Sequence, residues 1–218
     1  MELKGKRIAF LGDSITEGVG VLDLSNRYDN RLFRMCGLSA VFNYGIGGTR
    51  FAKQTKPSEN PLFDLDFCTR AVEMDPDADI VVVFGGTNDY GHGDAPIGTP
   101  ADRTNDTFYG ACHQLFTTLI ERYPQAVIAV MTPLHRTGDD IPHLGNRIAD
   151  TVTLLDYVRI IREVAEIYSL PVLDLYASSG ICPSVTCHRE AFVPDGLHPN
   201  DAGHEIIARK LANFLKTL

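Results

Sequence analysis

Apolar residues gather in five short runs along the chain: RIAFLG (7–12), SAVFNY (39–44), DIVVVFGG (79–86), QAVIAVMT (125–132) and LPVLDL (170–175). Within each run apolarity is nearly continuous. A strand with one wet face alternates, whereas a strand of a parallel sheet is covered on both faces and does not. Segments with helical spacing lie between the runs, over 27–36, about 107–123, about 148–169 and 201–216. In the last, Ile206, Ile207, Leu211 and Leu215 form one stripe, and Asp201 is its expected N-cap. Strand and helix alternate, which predicts right-handed crossovers and an α/β class fold. The expected form is a three-layer α/β/α sandwich, flavodoxin-like, with a five-stranded parallel sheet in the order 2-1-3-4-5. No repeat or linker-like shift in composition interrupts it, so residues 1–218 are read as a single domain. In such sheets chemistry collects beyond the carboxyl ends of the strands.

Small and polar residues do collect there. Gly12-Asp13-Ser14 follows the first run, NYGIGGTR (43–50) the second and GGTNDYGHG (85–93) the third. The later loops are long, about 89–106, 133–147 and 176–200, a length uncommon in compact domains unless the loop serves a function. Ser14-Ile15-Thr16-Glu17 reads as a capping box. Alone, Ser14 is better explained as a helix cap, Gly48 as a turn glycine, Asn88 as an Asx-turn residue and His198 as a surface histidine. Together they supply what acyl transfer needs at one edge of one sheet. Ser14 has a hydroxyl, and His198 is a base near neutral pH. Asp195, three residues earlier, can orient the imidazole, while Gly48 and Asn88 can donate to an oxyanion. A hydroxyl committed to the Glu17 N–H is poorly placed for His198, but Asp13 can take over the capping.

The composition narrows the partners. The formal net charge is −8 with no long basic run, which argues against nucleic acid and against docking on anionic membranes. No apolar stretch approaches the roughly 18 residues of a membrane helix, and MELKGKRIAF does not read as a signal peptide. A soluble, cytoplasmic protein without membrane insertion is expected. The five cysteines, Cys36, Cys68, Cys112, Cys182 and Cys187, are then expected as free thiols. They lack the C-x-x-C spacing of a metal site, and neither a metal nor an organic cofactor is called for. Nothing in the sequence speaks to oligomeric state.

GDS at 12–14, NYGIGG at 43–48, GGTND at 85–89 and DGLHPN at 195–200 resemble, in order, the four blocks of the SGNH (GDSL-type) hydrolases. The blocks span nearly the whole chain. The resemblance implies a serine esterase with Ser14 as nucleophile, His198 as base and Asp195 as its orienter. It also implies an oxyanion hole made of the Ser14 N–H, the Gly48 N–H and the Asn88 side chain. Gly45, Gly47 and Gly48 compete for the middle role, and Gly48 is chosen because it lies five residues after Asn43, the family's usual spacing. The motif is not the G-x-S-x-G elbow, since Thr16 stands where that motif has glycine.

A small-molecule ester is the expected partner. The loops are polar, which favours a short acyl group such as acetyl on a carbohydrate-like or other small polar alcohol. A lysophospholipase or thioesterase is the alternative within the class. A non-catalytic nucleotide- or flavin-binding module is the alternative outside it, weakened because Arg50 replaces the third glycine of a dinucleotide fingerprint. Candidate substrate contacts are Asp13, Tyr44, Arg50, Tyr90, His92 and Phe192. Phe51, Arg136, His143 and His188 are further candidates on the same loops.

Overall fold

The structure, a computed structural model, describes residues 1–142 and 152–218. The strands are β1 (Arg7–Gly12), β2 (Ala40–Gly45), β3 (Ile80–Phe84), β4 (Val127–Met131) and β5 (Val172–Leu173). They form one parallel sheet in the order β2-β1-β3-β4-β5, as the alternation of runs predicts. Ala9, Leu11, Val81 and Val83 face one core, where α3 (Phe67–Ala71), α5 (Phe108–Arg122) and α6 (Leu154–Ile167) pack. Ile8, Phe10, Ile80, Val82 and Phe84 face the other, against α2 (Tyr28–Cys36) and α9 (Asp201–Thr217). Both faces of each central strand are therefore dry, which is why the runs do not alternate.

The register sets the working edge. Gly12 pairs with Gly45 on one side and with Phe84 on the other. The chain thus leaves β1, β2 and β3 at one level. There it enters α1 (Ser14–Glu17), the loop holding Gly47 and Gly48, and α4 (Thr87–His92).

Several boundaries differ from expectation. The fifth strand spans two residues because Pro171 has no N–H to give a ladder and Asp174 turns to cap α7 (Leu175–Ser178). Helix α6 begins at Leu154, where Thr153 and Asp156 close a capping box; positions 148–151 of the predicted helix lie outside the described residues. Asn200, not Asp201, caps α9, accepting from the Ala202 and Gly203 N–H groups. Asp201 instead accepts from the Leu22 N–H and from Asn26 Nδ2, and so ties down the loop after α1. The segment 176–200 is not structureless, since it carries the rest of α7 and α8 (Thr186–Phe192). Residues 89–92 likewise belong to α4. Cys182 and Cys187 are both free thiols. Among the described residues no helix is long and apolar enough to cross a membrane.

Candidate active site

Ser14 opens α1 directly after β1, and the helix start is capped by its neighbour. Asp13 Oδ1 accepts from the Ile15 N–H at 3.0 Å, and the Glu17 N–H is taken by the Asp13 carbonyl. The predicted capping box does not form, because the Glu17 carboxylate reaches across to the Gly47 N–H at 2.8 Å. The Ser14 hydroxyl is left to point elsewhere. Its Oγ lies 3.0 Å from His198 Nε2.

His198 is held by its own loop. Its Nδ1 lies 2.6 Å from Asp195 Oδ2, while Asp195 Oδ1 accepts from the Leu197 and His198 N–H groups at 2.8 and 2.7 Å. A carboxylate only accepts, so the proton sits on Nδ1 and the Nε2 lone pair faces Ser14. Partial burial would raise the Asp195 carboxyl, but these three hydrogen bonds and the His198 charge outweigh it and hold it below the usual carboxylate range. Asp13 is the opposite case. Burial pushes it up to about 6, against the Ile15 N–H and the nearby His198 and Arg70.

The donors expected for an oxyanion come from the two adjoining strand ends. Asn43 Oδ1 occupies the Gly45 N–H, and Glu17 occupies the Gly47 N–H. Of the three glycines, the Gly48 N–H alone has no hydrogen-bond partner among the described residues, and the Ser14 N–H has none either. Asn88 Nδ2 donates one hydrogen to the Thr49 carbonyl at 3.0 Å and keeps a second. Gly48 has φ +75°, and a Cβ there would lie 2.2 Å from the Phe63 ring, so a side chain is excluded both by conformation and by space.

These groups share one cleft of about 370 Å³. Ser14, Gly48, Asn88 and His198 line it, and Val19, Phe63 and Leu197 give it apolar walls. His92 and Arg136 complete it on the α4 side. Of the candidate substrate contacts, His92 and Arg136 belong to that lining. Asp13 is buried as the α1 cap. Tyr44 takes the Asp75 N–H on its hydroxyl, and Tyr90 is buried with its hydroxyl donating to the Gly138 and Ile141 carbonyls. Phe192 packs on the α9 side of the sheet and against His188. Arg50 is buried behind the cleft, donating to the Phe63 carbonyl and to His92 Nδ1. Phe51 is core, and His143 lies outside the described residues.

Sequence reasoning missed the scaffold of the site. Arg70, buried on α3, donates to the Gly12 and Tyr44 carbonyls and to Thr49 Oγ1, joining the ends of β1 and β2 to the loop that holds Gly47 and Gly48. Burial lowers it to about 10, against the pull of Asp13 and Asp66. Asp89 does similar work, accepting from the Phe51 and Ala52 N–H groups. A lone arginine in a short helix gives no sequence signal; Asp89 did, as the last residue of GGTND. Among the described residues no group of three or more His, Cys, Asp or Glu could hold a metal ion.

The model of the GDSL-like lipase/acylhydrolase family matches residues 10–206. A GDSL lipase of Mycobacterium tuberculosis is 28% identical over 210 residues, covering 95% of this chain and 80% of that protein. One crystal structure, 34% identical, superposes with a TM-score of 0.87 over 100% of this chain and 99% of the other. A protein from Lactobacillus plantarum, 31% identical, does so with a TM-score of 0.82 over 98% of each chain.

Proposed function

Because the chain belongs to the GDSL-like lipase/acylhydrolase family and is a carboxylic ester hydrolase, we propose that it works through Ser14, His198 and Asp195 by way of an acyl-enzyme. The observation that carries this reading is the unbroken relay from Ser14 Oγ through His198 Nε2 and Nδ1 to Asp195, at 3.0 and 2.6 Å.

As Ser14 Oγ attacks the ester carbonyl, His198 Nε2 takes its proton, and Asp195 keeps the imidazole in the right tautomer and stabilises the imidazolium. Charge moves to the carbonyl oxygen, where the Ser14 N–H, the Gly48 N–H and the second Asn88 hydrogen receive it. Each such donor is worth on the order of 10²–10³ in rate. His198 then gives the proton to the leaving alkoxide, and the alcohol departs. A water attacks the acyl-Ser14 ester, passes its proton to His198, and the acid leaves as Ser14 takes that proton back. The residues already supply nucleophile, base and electrophile.

The acyl group is short and the alcohol small and polar. The support is the cleft of about 370 Å³, walled by Val19, Phe63 and Leu197 and backed by the polar Arg136 and His92. Residues 1–218 act as one domain in this reading. Five free thiols fit a reducing compartment, and the cytoplasm is the location assigned. The test is hydrolysis of p-nitrophenyl acetate, butyrate and octanoate by the wild type and by Ser14→Ala. The expected result is a preference for acetate or butyrate that vanishes with Ser14. Hydrolysis that survives Ser14→Ala removes the mechanism, and a preference for octanoate removes the short-acyl assignment.

A further inference from the structure

Arginines away from solvent in this protein are matched by acceptors they can reach. Arg27 meets Asp29, Arg50 meets Asp64, Arg162 meets Asp174, and Arg70 is held by backbone carbonyls and Thr49. Arg136, like Arg70, has no carboxylate in contact among the described residues, but unlike the others it lines the cleft. Its Nη1 donates to the Thr87 carbonyl and hydroxyl, and its Nε, like those of Arg50 and Arg162, is buried with no partner among the described residues. Asp13, Asp139 and Asp195 act on it only through space, and Asp139 Oδ2 already binds His135 Nδ1 at 2.5 Å. The guanidinium is nonetheless fixed in place, with its carbon 5.8 Å from the centre of the Tyr90 ring, against the backbone at Gly91, where a Cβ would come within 2.5 Å of Nη1. It lines the same cleft as Ser14 and His198.

His92, also in the lining, has a dictated tautomer. Arg50 Nη2 lies 2.5 Å from its Nδ1, and a guanidinium has no lone pair to offer. Nδ1 must therefore accept, and the ring proton sits on Nε2. Arg136 and His92 thus offer donors and one positive charge that no carboxylate contacts among the described residues. A hydroxyl-rich alcohol can accept from donors but cannot neutralise a cation. A carboxylate does both.

We propose that Arg136, with His92 beside it, sets the specificity of this cleft, and that the favoured ester carries a carboxylate close to the scissile bond. This rests on the hydrolase reading above and narrows its small polar substrate to an anionic one. The carboxylate belongs either to the acyl part or to the alcohol, and paired probes separate the two. Monoethyl succinate against ethyl succinamate places the charge on the acyl side. Acetoxyacetate against acetoxyacetamide places it on the alcohol side. Each pair changes carboxylate to amide at nearly constant shape, and acid release is followed by pH-stat. The wild type is expected to favour the carboxylate in one pair by about ten-fold or more in kcat/KM, a preference that shrinks as salt is raised. Arg136→Gln is expected to bring that ratio to about one, and Arg136→Lys to retain part of it, since a point charge remains without the planar fork. A wild-type ratio near one in both pairs overturns the inference while Ser14-dependent hydrolysis of the amides keeps the hydrolase reading standing. A ratio that Arg136→Gln leaves unchanged also overturns it. If none of the four esters shows Ser14-dependent hydrolysis, the hydrolase reading falls and the inference falls with it.

Discussion

Replacing Asp195 by Asn alters the site by one atom, and its geometry makes the consequence calculable. Asp195 Oδ1 serves two backbone N–H groups, of Leu197 and His198, while Oδ2 serves His198 Nδ1. An asparagine has two orientations. With its carbonyl on the backbone pair, its amide hydrogens face Nδ1, which must then accept; the ring proton moves to Nε2 and His198 cannot take a proton from Ser14. Flipped, the carbonyl meets Nδ1–H correctly, but the amide faces two N–H donors. Two unmatched donors cost about 1–3 kcal/mol each when buried. The Asp195 side chain is 53% exposed, so the low end of that range applies here. Either orientation also loses the charge that stabilises the imidazolium. The combined expectation is a fall of about 10³–10⁴ in kcat, equivalent to about 4–5 kcal/mol of transition-state stabilisation. KM should change little, because Asp195 is not in the cleft lining. The assay is p-nitrophenyl acetate hydrolysis at pH 8, with thermal unfolding measured in parallel. A loss of less than ten-fold in a folded variant would refute the assignment of Asp195 as the orienter.

Other perturbations separate the oxyanion hole from its scaffold. Asn88→Ala should lower kcat by about 10²–10³. It should also destabilise the fold by about 1–3 kcal/mol, because the buried Thr49 carbonyl loses its donor; unchanged kcat in a urea-stable variant would contradict this. Gly48→Ala forces a side chain onto φ +75° and into the Phe63 ring, and is expected to lose both activity and at least about 1 kcal/mol of stability. Wild-type unfolding and rate would show that the loop is freer than its geometry says. For Asp13→Asn the sign runs the other way. The folded carboxyl titrates near 6 against an ordinary 3.8, so the folded state holds its proton more tightly, and stability is lost as pH rises from about 4 through 6. Asparagine keeps an oxygen for the Ile15 N–H and removes the buried charge, so it should stabilise at pH 8 by up to about 3 kcal/mol and by little at pH 4. Urea unfolding at the two pH values checks it, and a variant that gains nothing on going to pH 8 would contradict it.

The sheet and its order were legible because burial on both faces leaves continuous apolar runs, and because the register then sends every post-strand loop to one edge. The four polar blocks were legible for the same reason: Ser14, Gly48, Asn88 and His198 sit where strands or their following loops end. The lining was harder to read. Phe63 enters from a short turn, Pro61–Asp64, with no periodicity of its own. Tyr44 ends the second predicted strand beside the working edge, yet its place in β2 turns it toward the α3–α5 side and Asp75. The capping choices at both ends of the site hinge on adjacent good caps, Asp13 beside Ser14 and Asn200 beside Asp201, which propensity alone does not separate. Short helices such as α7 and α8 carry too few turns to show an amphipathic stripe.

The account stands on Ser14 being the atom that receives the acyl group. Incubation with a fluorophosphonate ester, followed by proteolysis and peptide mass spectrometry, addresses that directly. The prediction is a single phosphonyl adduct on Ser14, formed in step with loss of esterase activity and strongly slowed in His198→Ala. An adduct on another residue, or full inactivation with Ser14 unmodified, would contradict it.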